Sequence, residues 1–478
     1  MFLEFFIWGA WLPLAYDYLT NLSFSSFEKS LIMNAFAAAS ITGLFFSNQF
    51  ADRNFAAERF LAFSHLVGGA SILAIAWVRD FPVWEGGLNL FGERWSPHFW
   101  PFFGLMLLHS LFYVPTISVS NSIVFSHLPP TEFAKVRLWG TIGWIAASVP
   151  FVFILLDWTK VRDFSFAEIT PWFQDVFNPD YGKKGEAYLH GVSLTYMAAG
   201  IASLALAVFS LALPHTPPKP IKSGEKHFAW LESIRLLAKP FILVLFIVTF
   251  IDAAVHQGYF LLTAPFLKNE VGIAPSWVMP VMTIGQIAEI GTMAILGGVL
   301  KALGWRWTMI LGILGHTARF GVFAFFPEPA PAVLINVLHG ICYAFFFATV
   351  YIFVDEYFPK DARASAQGLF NFLIIGIGPL VGNFLWPFVE GHFTTVAGLQ
   401  SLFASLGDKE LVFQPKTIVD YYNLFLVPSI TALVAAAMLL VFFHPPAKGT
   451  DDNLDSYPDE YQKGTGAIER SDAIKEFK

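Results

Sequence analysis

Repeated apolar runs of helical length constrain this chain more than any other feature. A bilayer core about 30 Å thick needs roughly 20 apolar residues per helix. Runs of that size lie near 2–20, 30–50, 60–78, 98–126, 137–156 and 190–213. A second set lies near 241–266, 276–299, 307–326, 331–354, 364–388 and 420–443. These predict twelve spans in two groups of six, an all-α membrane protein. The runs are too long for barrel strands and lack period-2 alternation. Composition agrees: 55% of the 478 residues are hydrophobic and only 14% are charged, against about 25% charged in soluble proteins. With 29 Lys+Arg against 36 Asp+Glu, no basic face for nucleic acid is expected, and the chain is no disordered tail. The single cysteine, Cys342, excludes an internal disulfide and a thiol-ligated metal site. The 53 Phe fit a lipid-facing surface.

The spans divide the chain into an N-terminal half (1–213), a linker (214–240), a C-terminal half (241–443) and a tail (444–478). The linker is basic and Pro-rich, with Pro217, Pro218, Lys219, Pro220, Lys222, Lys226 and Arg235. The tail is acidic and polar, with Asp451, Asp452, Asp455, Asp459 and Glu460, and reads as mobile and solvated. With the N-terminus inside, loops 2–3, 4–5, 6–7, 8–9 and 10–11 and the tail hold the larger share of Lys and Arg. The positive-inside rule then places both termini in the cytoplasm. The first span has no basic n-region or small-residue cleavage site, so no removable signal peptide is expected. On the outer side, 157–189 is rich in aromatic residues and proline (Pro171, Trp172, Phe173, Phe177) and suits a small amphipathic element. The loop 391–416 is of similar length and less readable.

The halves echo each other. Gly43, Asp52-Arg53 and Glu58-Arg59 after span 2 correspond to Gly297-Gly298, Lys301 and Gly304-Trp305-Arg306 after span 8. Pro129-Pro130, Lys135, Arg137 and Gly140 after span 4 correspond to Pro359-Lys360, Arg363 and Gly368 after span 10. Six plus six helices with a long inner linker is the layout of the major facilitator superfamily, whose halves are parallel repeats with the substrate between them. The Asp52-Arg53 turn resembles that superfamily's loop signature after span 2.

Ionisable groups inside a span cost roughly 2.5–3.5 kcal/mol each on insertion scales and must face the bundle interior. Arg137, Thr141 and Trp144 open span 5 on one helix face, a cation, a hydroxyl and a ring together; the alternative for Arg137 is snorkelling to the interface. Gln286 and Glu289 share a face in span 8, and Glu289 is the most expensive residue in the chain. Its roles would be hydroxyl binding and proton carriage, or else a structural hydrogen bond. In span 7, Asp252 and His256 stand at i, i+4 and are expected to pair, with Gln257 at the edge of that face; such a pair suits a proton relay. His339 and Tyr343 stand at i, i+4 in span 10, as aromatic lining or as packing. Asn121, Asn371 and Asn383 are weaker candidates. Asp17 is expected at the interface, and Arg319 in span 9 is read as structural.

Arg137-Leu-Trp-Gly-Thr141-Ile-Gly, Gln286-x-x-Glu289 and Arg363-Ala-Ser-Ala-Gln367-Gly368 together resemble the bacterial nucleoside:proton symporter family of that superfamily. Phe6-Ile-Trp8-Gly9-Ala-Trp11 and Leu213-Pro214-His215 are similar to it too, so the resemblance covers roughly 5–443. It implies that Arg137, Thr141 and Trp144 line a nucleoside site, completed by Gln257, Gln286, Glu289, His339 and Tyr343, with Glu289 suited to ribose hydroxyls. There are departures. Phe260 stands where the family has an Asn after the span 7 Gln, Ala344 where an Asp follows the second span 10 aromatic, and His339 where a Tyr is usual. If that Asp handles protons in relatives, Asp252, His256 and Glu289 are the groups left to do so here. The outer loops are also longer than the family's.

The expected activity is proton-coupled nucleoside uptake across the bacterial inner membrane by alternating access. The alternative is a proton symporter for a sugar or another small polar solute. His-Glu-x-x-His, Gly-x-Ser-x-Gly and a phosphate-binding Gly-x-x-x-x-Gly-Lys-Ser/Thr do not occur, so an enzyme or ATP-driven pump is disfavoured. The expected partners are a nucleoside, protons and the bilayer. No cofactor, metal or nucleic acid is expected, and the chain is expected to be a monomer.

Overall fold

The computed structural model of the chain describes residues 1–43, 54–83, 86–128, 132–218, 237–358, 360–397 and 416–445. The Asp52-Arg53 turn, Pro129-Pro130, most of the linker and the acidic tail lie outside them.

The first six spans are realised as Phe2–Asn21, Ser26–Thr42, Ala57–Ile75, Phe99–His127, Phe133–Ile154 and Gly185–Ser210. Span 2 starts earlier than its apolar run because Ser25-Ser-Phe-Glu28 is a capping box. The Ser25 hydroxyl accepts from the Glu28 amide at 3.3 Å, and the Glu28 carboxylate accepts from the Ser25 amide at 2.8 Å. Span 7 is Pro240–Asn269. Spans 8 and 9 form one rod, Pro275–Phe325, broken at Gly304, whose φ of 70° only glycine adopts without strain. Spans 10 and 11, Pro329–Tyr357 and 360–392, each contain a π-helical turn, Tyr343–Ala348 and Phe372–Ile377. Tyr421–Phe442 is span 12. Nine helices among the described residues are long and apolar enough to cross a bilayer. One of these is the broken rod, and the first two helices fall just outside that group, so the architecture is consistent with twelve crossings. The expected amphipathic element in the span 5–6 loop is the short helix Ile169–Val176. The loop after span 11 adds a strand pair, Thr394–Ala397 with Lys416–Val419.

Helices in lipid gain little from apolar contact with one another, so small residues and polar links set their packing. In the N-terminal half, a Cβ on Gly200 would lie 2.5 Å from the Leu73 Cβ, and one on Gly69 would lie 2.9 Å from Ser203, fixing span 3 against span 6. In the C-terminal half, Gly312 meets the backbone of Phe346, and Gly340 of span 10 lies directly on the Glu289 backbone of span 8.

Gly340 therefore ties the backbone of span 10 to that of span 8 at Glu289. Gly340→Ala should lower stability by about 1–3 kcal/mol through overpacking, read as an earlier thermal transition in detergent. Gly291→Ala, two residues from Glu289 with nothing within 4 Å of the added methyl, should leave the transition unchanged or raise it.

Candidate functional site

The polar residues inside the bundle fall into groups set by which helices they join. One group closes the end where spans 1, 7 and 11 finish. Lys268 of span 7 reaches both oxygens of Asp17 in span 1 at 2.6 Å, and the Tyr188 hydroxyl donates to the same carboxylate. Lys29 of span 2 stands 3.5 Å from Glu390 of span 11, and the Tyr16 hydroxyl also donates to Glu390. Each ammonium lies over the ring of the tyrosine that shares its carboxylate, 4.4 Å for Lys29 and Tyr16 and 4.5 Å for Lys268 and Tyr188. Asp17, expected at the interface, is instead buried in a pair between the halves. The reason is tertiary: its partner lies on another helix 251 residues away. The short loop helix adds to this closure. Phe177 stacks on Trp277 of span 8 at 4.4 Å, and the Trp277 ring N–H donates to the Val176 carbonyl. The loop itself is held by Arg162, whose backbone and side chain both donate to Asp175. Those bonds keep the Asp175 carboxyl below the usual carboxylate range.

A second group sits between the halves, deeper in the bundle. Arg137, Thr141 and Trp144 share the inner face of span 5 and are half-buried. The Arg137 guanidinium covers the Phe5 ring at 4.0 Å and acts electrostatically on Glu289 and Tyr343 across the divide. Trp144 meets Trp8 edge-on at 5.4 Å and Phe260 of the opposite half at 6.5 Å. Gln257 donates to Asn383 at 2.8 Å, and Asn383 donates onward to Asn34 of span 2 at 3.0 Å, a polar thread through both halves. Arg137 of one half thus lies near Glu289 and Tyr343 of the other, while Trp144 reaches that half at Phe260. Gln257 approaches from the span 11 side.

The third group lies inside the C-terminal half and is tighter than the sequence suggests. Arg319, read as structural, is its hub. Nη1 donates to His339 Nδ1 and Nη2 to His316 Nδ1, both at 2.9 Å. His339 Nε2 faces the Gln286 amide at 3.4 Å, and His316 Nε2 faces Asp252 at 3.7 Å. The expected Asp252–His256 pair does not form: both Asp252 oxygens and His256 Nδ1 lack a hydrogen-bond partner. His256 stacks on His339 at 5.0 Å instead. An i, i+4 spacing brings two side chains to one face, but the rings of spans 9 and 10 compete for that space. Phe260, where the family pattern suggests Asn, packs edge-on against both His256 and His339. It is the ring through which Trp144 meets this cluster.

A fourth group was missed. Glu4 of span 1 accepts from Thr116 at 2.7 Å and lies 3.0 Å from His65 Nε2, while His65 Nδ1 lies 3.0 Å from the Ser203 hydroxyl. All four are buried, so spans 1, 3, 4 and 6 are pinned at one point. Glu4 and His65 are ionisable residues in apolar runs, and the criterion that picked out Asp252 would have found them.

Two six-helix halves with polar side chains facing each other across the seam define a transporter of the major facilitator fold. Solved structures share that fold. The crystal structure of the nucleoside transporter NupG superposes with a TM-score of 0.70 at 20% identity, covering 93% of this chain and 97% of that one. A D-xylose-proton symporter follows at TM-score 0.60 and 12% identity, with 93% and 96% coverage. The sequence profile described as "Nucleoside H+ symporter" matches residues 1–168 and 183–448, and the chain belongs to that family. The break at 169–182 is where the short loop helix lies. The Escherichia coli (strain K12) putative nucleoside transporter YegT is 31% identical over 392 residues, 80% of this chain and 81% of that protein. The xanthosine permease of the same organism is 26% identical over 414 residues, with 82% and 87% coverage.

Two measurements check the closed end. Asp17→Asn leaves the Lys268 ammonium without its counter-charge and should cost about 3 kcal/mol, near the lower bound for a broken buried pair. Adding Lys268→Gln should recover part of that loss in a double-mutant cycle of unfolding. The Arg162–Asp175 contact should be pH-dependent. Because the folded-state value is depressed, its stabilisation is complete above the unfolded carboxyl's value of about 3.9 and disappears as pH falls through the lower folded one. Corrected hydrogen-exchange protection of 162–177 should be flat from neutral pH down to about 5 and fall below about 4.

Proposed function

We propose that this protein carries nucleosides inward across the bacterial inner membrane together with protons, by alternating access of 1–213 and 241–443 about the linker 214–240. What supports the reading is that Arg137 of one half lies near Glu289 and Tyr343 of the other, with Trp144 on the same helix face as Arg137 and against Phe260. A nucleoside presents an aromatic base and a ribose with vicinal hydroxyls. Trp144 and Tyr343 match the first by stacking, and Glu289 matches the second by accepting two hydroxyl protons. Thr141, Gln257 and Gln286 supply further hydrogen bonds, and His339 acts behind Gln286. With both termini cytoplasmic, the latched end of spans 1, 7 and 11 faces outward. The conformation is then closed to the outside, and Asp17–Lys268 and Lys29–Glu390 must part for a nucleoside to enter.

The coupled proton rests on Glu289 or Asp252, with His316 facing the latter and His256, one turn along from it, turned to His339. Glu289 faces Arg137 when charged. Neutralising it weakens that attraction across the seam and biases one half against the other. One charge moving through about 100 mV supplies about 2.3 kcal/mol, enough for roughly 50-fold accumulation before any pH gradient.

Uptake of labelled uridine and adenosine into proteoliposomes, competed against a panel of sugars, tests the substrate. Nucleosides should enter, and sugars should not compete. A chain that carries sugars and ignores nucleosides would overturn the reading. Glu289→Gln should abolish accumulation driven by an imposed pH gradient by at least tenfold, while counterflow exchange of nucleoside persists.

A further inference from the structure

We propose that Arg319 is the positioning residue of the substrate site: acting through His339, it turns the Gln286 amide so that its N–H donors, and not its oxygen, meet the guest. This deepens the reading above and rests on it.

The argument is a count of donors and acceptors. A guanidinium has only donors. Arg319 places Nη1 2.9 Å from His339 Nδ1 and Nη2 2.9 Å from His316 Nδ1. A ring nitrogen facing a guanidinium N–H must accept, so both imidazoles are bare at Nδ1 and carry their proton on Nε2. His316 therefore aims an N–H toward Asp252, 3.7 Å away. His339 aims its N–H at the Gln286 amide, 3.4 Å away.

An amide nitrogen turned toward that N–H would set two donors against each other. It would also leave Oε1 without a partner in a residue only 8% exposed. Amide orientation follows from the network, and here one arrangement is bonded: Oε1 accepts from His339 Nε2–H. The amide N–H groups then point away from His339. Gln286 shares its helix face with Glu289, so an acidic and a donating group stand side by side. Glu289 takes hydroxyl protons, and Gln286 takes an acceptor, a carbonyl oxygen or ring nitrogen of the base.

Arg319 is suited to this role and lysine is not. Its planar fork reaches two imidazoles at once, and it is held flat over the Tyr259 ring at 4.1 Å. Tyr259 is itself fixed by donating to Asn336 at 3.0 Å.

Two measurements decide the matter. The first is KM for adenosine against its 1-, 3- and 7-deaza analogues in proteoliposomes. Each analogue removes one base acceptor. At least one should raise KM about tenfold in the wild type, as expected for a buried donor left unmet. In Arg319→Lys and His339→Phe the parent and that analogue should fall within about twofold of each other. Discrimination that survives Arg319→Lys, or no discrimination in the wild type, overturns the proposal. A purely structural Arg319 would lower the amount of folded protein and leave the KM ratio unchanged. The second is 15N-histidine spectroscopy of the wild type in nanodiscs, with signals assigned through His316→Gln and His339→Gln. Both rings should show a bare Nδ1 and a protonated Nε2. An Nδ1–H tautomer or an imidazolium at His339 overturns the proposal even if Arg319→Lys fails to fold. A wild type that carries no nucleoside ends the functional reading above, while the spectrum still decides the role of Arg319.

Discussion

A charge inside hydrocarbon must find a partner or leave, and that requirement shapes this molecule. Every ionisable cluster described above joins side chains from different helices. Glu4, His65, Thr116 and Ser203 draw four helices of the first half to one point. Arg319, with His316, His339 and the nearby Asp252, links three helices of the second. Because lipid-facing Phe and Leu give no preference for one neighbour over another, these polar links do what apolar burial does in a soluble core. They decide which helix lies against which.

The clusters differ in what they cross. The Glu4 and Arg319 groups stay within a half and are buried, which ties the helices of each half to one another. The Asp17–Lys268 and Lys29–Glu390 pairs cross between halves. A buried ion pair regains much of its hydration when it opens, so its net worth is far below its Coulomb attraction. Such a pair can close a pathway firmly in register without making the closed state too deep to leave. The tyrosines that share these carboxylates, Tyr188 and Tyr16, add geometry more than energy.

The apolar spans were legible in the sequence because bilayer thickness imposes a length that few other folds require. Arg137 and Glu289 stood out for the same reason in reverse: an expensive residue must face the interior or find a partner. Pairing was much less legible. Asp252 and His256 share a helix face, and nothing in their spacing reveals that His339 of another helix stacks on His256. Arg319 looked like a structural cation because His339 and Tyr259, which it joins to His316, lie on other helices. Asp17 sits one residue from the tyrosine that serves the other latch, and only the fold shows that the two face different partners. Glu4 and His65 carry the same cost, and only the fold shows that Thr116 and Ser203 of two further helices meet it.

The meeting of spans 8 and 10 shows how the site and the scaffold are one construction. Gly340 allows the two backbones to touch at Glu289. One residue before it, His339 holds Gln286. Three residues after it, Tyr343 opens a π-helical turn and faces the same carboxylate electrostatically. His339 and Tyr343 stay one α-helical turn apart, since the Tyr343 amide still donates to the His339 carbonyl. The wider turn begins only at Tyr343, so it rotates the residues beyond Ala348 relative to that pair. One face of span 10 therefore carries both His339, bonded to Arg319 in the interior, and Tyr343, near Glu289.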